Sequence, residues 1–328
     1  MTPHLSPSHH PARSLLADED VLGDLIAWRA QGLRTALVTL VAIDGNTPRP
    51  LGAQMAVAED QRFSGYLSGG CIEQAIALEA CQTIAAGQNR LVRYGKGSAY
   101  FDVQLPCGSG LDLYFDQGLT ADVVEHIAER HAARRPFTLV TDLVRGESRI
   151  EENVLETTCV LIGDAFHRPH LPPVRVLLAG GGPALIAVAA LFQVAGLDMH
   201  IITPDDAVRA ELSARGIDAH GLADVSAFED DFGDPWTAAV VAFHEHAWEA
   251  PVLARILTRP YFYVGAMGSR KAHETRLAQL REMGVRDENI ARLKSPIGMI
   301  SGTKSRVTLA AGILADVLAA AKAAGLVA

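Results

Sequence analysis

The chain has 328 residues, 49% apolar and 20% charged, which is the composition of a soluble globular protein long enough for two domains with substantial cores. Its formal net charge of −9 argues against a nucleic-acid binder, which needs clustered Lys and Arg, but leaves room for a small basic pocket that takes an anionic ligand. The cysteines, Cys71, Cys81, Cys107 and Cys159, form no C-x-x-C pair, so a zinc ribbon or a thioredoxin-like motif is not indicated.

Residues 1–13 are rich in Pro, His and Ser and lack the basic start and apolar stretch of a signal peptide; they read as a disordered tail on a cytoplasmic protein with reduced thiols. A first domain is expected over 14–165. It opens with a helix over 18–31, where Val21, Leu22, Leu25, Ile26 and Trp28 share one side. Strands follow over 35–43, 54–58 and 63–67, then a helix over 71–86 closed by Gly87. Strands over 90–94, 99–103 and 110–115, a helix over 121–133 and strands over 137–143 and 158–162 complete the domain. The stretch 166–173, FHRPHLPP, holds three prolines and reads as an interdomain linker.

From 174 to 328 the pattern alternates. Strands are expected over 174–179, 199–203, 238–243 and 261–265, and helices over 183–195, 207–215, 251–258, 270–283 and 304–324. Alternation of this kind predicts a parallel sheet covered on both faces, so the fold class is α/β: a mixed N-terminal domain followed by a Rossmann-like one. The most apolar long segment, 307–328, is interrupted by Asp316 and Lys322 and reads as a buried or docking helix, not a membrane span.

Three motifs carry chemistry. In LSGGCIEQAI (67–76), two glycines lead into Cys71 at the start of a helix. A thiol in a first helical turn has its thiolate favoured by free amides and the dipole, with Gly69 and Gly70 keeping side chains clear for a bulky ligand. Glu73 can bond back to the turn as in a capping box, and the amides can hold phosphate. Cys107, in the turn PCGSG, can converge on the same place. The alternative is that Cys71 is a small buried residue at a tight turn. Cys81 and Cys159 read as core.

In AGGGPAL (179–185), Gly180 and Gly182 fill the first two positions of a dinucleotide-binding turn, but Leu185 stands at the third. Asp205 falls near where an acid would meet a ribose hydroxyl. Either this turn takes a nucleotide or pterin phosphate, or it only packs. His244 and His246 follow an apolar strand; they can ligate metal, act as acid and base, or simply line a loop mouth. Gly268 and Ser269 resemble a turn and a cap, and Arg270 and Lys271 add charge suited to an anion beside a helix start.

Taken in order, ALVTLVAIDGNTPRPLGAQMAV, GYLSGGCIEQAIALEA, PCGSG, VLLAGGGPA, FHEH, YVGAMGSRKAHETRLAQL and SPIGMISGTKS resemble the XdhC/CoxI family of xanthine dehydrogenase accessory proteins over about residues 33–320. The resemblance implies an accessory protein rather than an enzyme with its own turnover. Such a protein binds molybdenum cofactor, as molybdopterin or its dinucleotide form, and holds it while a cysteine desulfurase supplies its terminal sulfido ligand. It then delivers the cofactor to the large subunit of a molybdenum hydroxylase. A molybdopterin nucleotidyltransferase is a further partner of that pathway, and a homodimer is expected.

By position, Ser68, Gly69, Gly70, Cys71 and Glu73 match the first motif and Cys107 the second, with Cys71 the ligand for molybdenum. Gly180, Gly182, His244, His246, Gly268, Ser269, Arg270, Pro296 and Gly298 match the C-terminal motifs. Pro183 replaces a common histidine, Leu185 a glycine, and Lys304-Ser305-Arg306 a Pro-Glu-Glu; these departures bear on nucleotide binding and leave the N-terminal motif intact. Two other readings stay open: an NAD(P)-dependent oxidoreductase, and a sulfurtransferase carrying a persulfide on Cys71.

Overall fold

The computed structural model describes residues 21–98, 108–152, 154, 158–225, 228, 231–243 and 246–327. The expected strand over 99–103, and the site residues Cys107 and His244, lie outside them, as does the tail 1–13. The chain divides into two compact units between Pro172 and Pro173.

The N-terminal unit holds two antiparallel sheets. The first has five strands, β1 (Thr35–Asp44), β2 (Gln54–Ala58), β3 (Phe63–Ser64), β4 (Arg90–Gly95) and β5 (Gly110–Asp116), in the order β3-β2-β1-β5-β4. The β-branched run at the start of β1 is buried on both faces, which is why it reads as an uninterrupted apolar strand. One face packs Val38, Leu40, Met55, Val57, Leu113 and Phe115 against Ile76, Ala77, Ala80 and Ile84 of α2 (Glu73–Ala86). Each fully buried Ile or Leu there contributes about 1.5–3 kcal/mol. The other face packs Leu37, Ala56 and Ala58 against α1 (Leu22–Ala30) and α3 (Ala121–Ala132).

The second sheet joins β6 (Phe137–Asp142), β7 (Glu147–Glu151), β8 (Val160–Ile162) and β9 (Ala165–His170) in the order β7-β6-β9-β8. The expected linker over 166–173 is corrected by β9. Phe166 and His170 are buried, and the strand pairs along its whole length with β6. Its proline is tolerated because β8 pairs only with Ala165–His167, leaving Pro169 beside an open edge. The connecting segment shrinks to a few residues around Pro172-Pro173.

The C-terminal unit is a six-stranded parallel sheet of β10 (Arg175–Gly180), β11 (Asp198–Thr203), β12 (His220–Gly221), β13 (Thr237–Ala242), β14 (Tyr263–Ala266) and β15 (Leu293–Lys294), ordered β12-β11-β10-β13-β14-β15. This is the Rossmann order, with the topological switch between β10 and β13. Alternate strand residues go to opposite cores. Val176, Leu178, Val240 and Ala242 meet α4 (Gly182–Val194), α5 (Asp206–Ser213) and α9 (Arg306–Ala323). Leu177, Ala179, Val241 and Val264 meet α6 (His246–Ile256), α7 (Arg270–Glu282) and α8 (Asp287–Ile290). The segment 307–328 thus lies mostly within α9, a packed helix, and among the described residues no helix is long and apolar enough to cross a membrane.

Candidate functional site

The SGGC turn differs from its expected form in one respect. The helix begins at Glu73 with Ile72 as its cap residue, so Cys71 lies just before the helix and not in its first turn. The chain cannot be helical sooner, because Gly69 and Gly70 take φ of +82° and +103°. Consecutive glycines in this conformation curl the backbone so that neighbouring amides converge.

They converge on Glu73. Its Oε1 accepts from the amides of Leu67 at 3.1 Å and Ser68 at 2.8 Å, and its Oε2 from the amide of Ile72 at 3.2 Å. The Ser68 hydroxyl donates to the same carboxylate at 2.8 Å and accepts from the amides of Cys71 and Ile72, both at 3.1 Å. Burial pushes the Glu73 carboxyl up, but the bonds from Ser68, Gly70 and Leu67 outweigh it and hold the group below the ordinary carboxylate range. The capping-box expectation is therefore met. Of the amides expected to hold a phosphate, those of Leu67, Ser68 and Ile72 are already bonded to this internal anion.

The outer rim of the turn is different. Gly69, Gly70 and Cys71 are exposed, so the alternative of a buried Cys71 is set aside. A Cβ at Gly69 would stand 3.2 Å from Pro48 Cγ, and one at Gly45 would stand 3.2 Å from Ser109 Oγ. The Ser109 hydroxyl also donates to the carbonyl of Asn46. The turn at 44–50 thus lies between the SGGC turn and the described part of PCGSG. Two cations near it are already paired: Arg93 reaches Asp44 and Asp112, each at 3.1 Å, and Lys96 pairs with Asp44. At this corner the Cys71 thiol is exposed. A small cavity of the unit lies elsewhere, walled by Thr39, Gln54, Tyr114, Asp116, Thr141 and Arg168.

In the C-terminal unit the motifs lie at the carboxyl ends of the parallel strands, where open sheets bind ligands. Gly180 ends β10, and a Cβ there would stand 2.4 Å from the carbonyl oxygen of Ala242, so only glycine lets β10 and β13 approach this closely. Gly182 opens α4 with φ of +70°, while Leu185, in place of the third glycine, is fully buried in the core. Asp205 caps α5, its Oδ1 accepting from Ala207 at 3.0 Å and Val208 at 3.1 Å. His246 contributes the first residue of α6, which starts five residues before the expected Pro251. Gly268 has φ of +135°, and Ser269 caps α7 by accepting from Ala272 at 3.2 Å, as expected. Arg270 and Lys271 follow, exposed and without a side-chain partner among the described residues.

Sequence reading missed the groups that hold these loops. Asp316, in the middle of α9, accepts from Tyr263 at 2.8 Å and from the Gly298 amide at 2.9 Å, and pairs with Lys294. Burial pushes the Asp316 carboxyl up, and the bonds from Lys294, Gly298 and Tyr263 bring it below its ordinary value. Burial and the bond to Asp316 push the Tyr263 hydroxyl far up, so it remains a donor. The signal was present: a lone acid in the most apolar segment needs a buried partner. The Pro296 and Gly298 motif is therefore fastened to α9. Among the described residues no group of three or more His, Cys, Asp or Glu side chains is placed to hold a metal ion.

The family model described as "XdhC Rossmann domain" matches residues 176–317, and that of the "XdhC and CoxI family" matches residues 28–95. The chain is 33% identical over 314 residues to "Molybdenum cofactor insertion chaperone PaoD" of Escherichia coli K12, covering 94% of this chain and 91% of that protein. It is 23% identical to a probable xanthine dehydrogenase subunit of Bacillus subtilis 168, covering 86% of this chain and 92% of that one. A crystal structure described as a xanthine dehydrogenase from Bacillus halodurans superposes with a TM-score of 0.72 at 17% identity, covering 92% of this chain and 96% of that one, a likeness of fold.

Proposed function

The chain belongs to the XdhC and CoxI family, and from that premise we propose that it is a chaperone of molybdenum cofactor: it holds the cofactor during sulfuration and inserts it into a molybdenum hydroxylase of the xanthine dehydrogenase type. The observation that carries this reading is the exposed thiol of Cys71 on a side-chain-free turn, in a chain aligned nearly end to end with a cofactor insertion chaperone.

The residues fit the cargo. The molybdenum of this cofactor is already held by dithiolene sulfurs, so a thiolate suits it as a further ligand, and Cys71 is exposed next to Gly69 and Gly70. Ser68 and Glu73 take the supporting role, fixing the turn from inside. In the C-terminal unit, Gly180 and Gly182, the α6 start at His246, and Gly268, Ser269 and Arg270 form an edge whose cations, unpaired among the described residues, suit a phosphate-bearing ligand. The proposed partners are the hydroxylase large subunit, which receives the cofactor, a cysteine desulfurase and a molybdopterin nucleotidyltransferase. The protein acts as a homodimer in this scheme.

Anaerobic copurification with molybdopterin, followed by elemental analysis, is the direct test. About one molybdenum per chain is expected from the parent. Cys71→Ala is expected to lower occupancy or block activation of the client hydroxylase while the melting temperature stays unchanged. Undiminished occupancy and activation in that variant would remove Cys71 from the mechanism. The exposed thiol also suits a sulfur carrier; mass spectrometry after incubation with a cysteine desulfurase and cysteine would then show one added sulfur on the Cys71 peptide.

A further inference from the structure

Three segments at the carboxyl edge of the parallel sheet are fastened to one side chain. Arg276, from the middle of α7, is 1% exposed and heads the largest fully buried side chains of the protein. Its Nη2 donates to Glu249 Oε1 at 2.7 Å and to the carbonyl of Met267 at 2.6 Å, and its Nη1 donates to Ser295 Oγ at 2.8 Å. Each partner belongs to a different segment: one helix start and two loops. Glu249, itself 3% exposed, lies in the first turn of α6, just after the segment that carries His244 and His246. Met267 immediately precedes Gly268, Ser269 and Arg270. Ser295 immediately precedes Pro296.

A buried ion pair is a weak device for stability alone, because desolvation offsets most of the attraction and a well-packed apolar pair often does as well. What an apolar pair lacks is direction. A guanidinium is a planar fork with donors fixed in space, able to hold three acceptors in one geometry; a lysine ammonium is a single point. Beside the bond to Glu249, one donor goes to a backbone carbonyl and one to a hydroxyl, both loop atoms, while Nε has no partner among the described residues. Gly268 takes part: a Cβ there would stand 3.1 Å from Arg276 Nη2, so the missing side chain lets the loop close over the guanidinium. The neighbouring loop is joined to the same frame by the Ile297 amide, which donates to the carbonyl of Ala266 at 3.2 Å.

We propose that Arg276, supported by Glu249, is a positioning residue for ligand binding in the C-terminal unit: its guanidinium sets the 267–270 and 295–298 loops in one register, so that Ser269 and Arg270 meet a phosphate-bearing ligand. This inference rests on the reading that the unit takes the phosphate-bearing part of molybdenum cofactor. Arg276 itself touches no ligand.

The test uses the full-length protein and molybdopterin as the probe, with affinity from anaerobic ultrafiltration and stability from thermal melting. Ser295→Ala removes one arm of the fork and leaves the ion pair intact. It is expected to weaken binding about tenfold with little change in melting temperature, and Ser295→Thr, which keeps the hydroxyl, is expected to restore affinity. Arg276→Lys keeps the charge opposite Glu249 but not the fork, and is expected to bind as weakly as Ser295→Ala or more so. Should Arg276→Lys fail to fold, the Ser295 pair decides. Parent-like affinity in Ser295→Ala overturns the proposal, as does a loss that tracks melting temperature and is not restored by Ser295→Thr. If the parent itself does not bind molybdopterin, the chaperone reading falls along with it; if the parent binds and the variants bind equally well, only the role of Arg276 falls.

Discussion

Replacing Glu73 with glutamine tests the account of the SGGC turn. The carboxylate accepts from the amides of Leu67, Ser68 and Ile72 and from the Ser68 hydroxyl. Glutamine keeps the shape but loses the charge, and its amino group points donors at donors on one side. Bonds to a charged acceptor are worth about 1.5–3 kcal/mol against about 0.5–1.5 for neutral ones. Part of the network can reorganise through the Ser68 hydroxyl, so the net loss is about 3 kcal/mol, or roughly 6–12 °C in melting temperature for a unit of this size. Because the Glu73 carboxyl is held below its ordinary value, the unfolded chain takes up the proton first as pH falls. Its stabilisation is therefore complete above the ordinary value of 4.5 and disappears as pH drops through the lower folded-state value. Melting followed by circular dichroism at pH 7, 5 and 4 should show a parent–variant gap that narrows toward acid. A Glu73→Gln variant that melts like the parent at pH 7, or a gap unchanged down to pH 4, would refute the reasoning.

Two further outcomes follow from the C-terminal unit. Gly180→Ala places a methyl 2.4 Å from the Ala242 carbonyl oxygen, and the forced separation of β10 and β13 should cost about 3 kcal/mol or more; chemical denaturation giving a loss below about 1 kcal/mol would contradict it. His200 is sandwiched between His220 and Phe232, at centroid distances of 4.6 and 3.6 Å. Burial first, then His220 and Arg175, lower its pKa from 6.5 to about 4. With the folded-state value below the unfolded one, stability is present above 6.5 and lost as pH falls toward 4. His200→Phe keeps a ring without a proton to gain, so its melting temperature should fall less than the parent's between pH 7 and pH 4.5. Equal falls would show that another group governs the acid loss.

The fold was legible wherever burial leaves a mark on the pattern. The run TALVTLVAI could only be an interior strand, and the strand–helix alternation after residue 174 required a parallel sheet. The sequence was silent where pairing, not composition, makes the element. The strand Glu147–Glu151 is charged because it is a sheet edge, and β9 looked like a linker because its proline is conspicuous while its pairing is not. The helix at His246 was placed too late because Pro251, inside the helix, reads like a start. At the candidate sites, the paired glycines announced the SGGC turn, since few other residues tolerate those backbone angles. That its amides would be taken by Glu73 followed only in part from spacing. Arg276 gave no sign at all: in RKAHETRLAQLRE it is one cation among several, and the acid that draws it inward is 27 residues away.

The self-contained bonding of the SGGC turn has a consequence for traffic through this protein. A loop that waits for its ligand to satisfy its amides must be ordered at each capture and released to disorder at each departure, and a tight grip of that kind resists handover. This turn carries its own anion, so in the proposed scheme its bonding is complete before any cargo arrives. A cargo held by Cys71, as proposed, would sit on a preformed turn, and its release would cost only the bonds to the cargo itself.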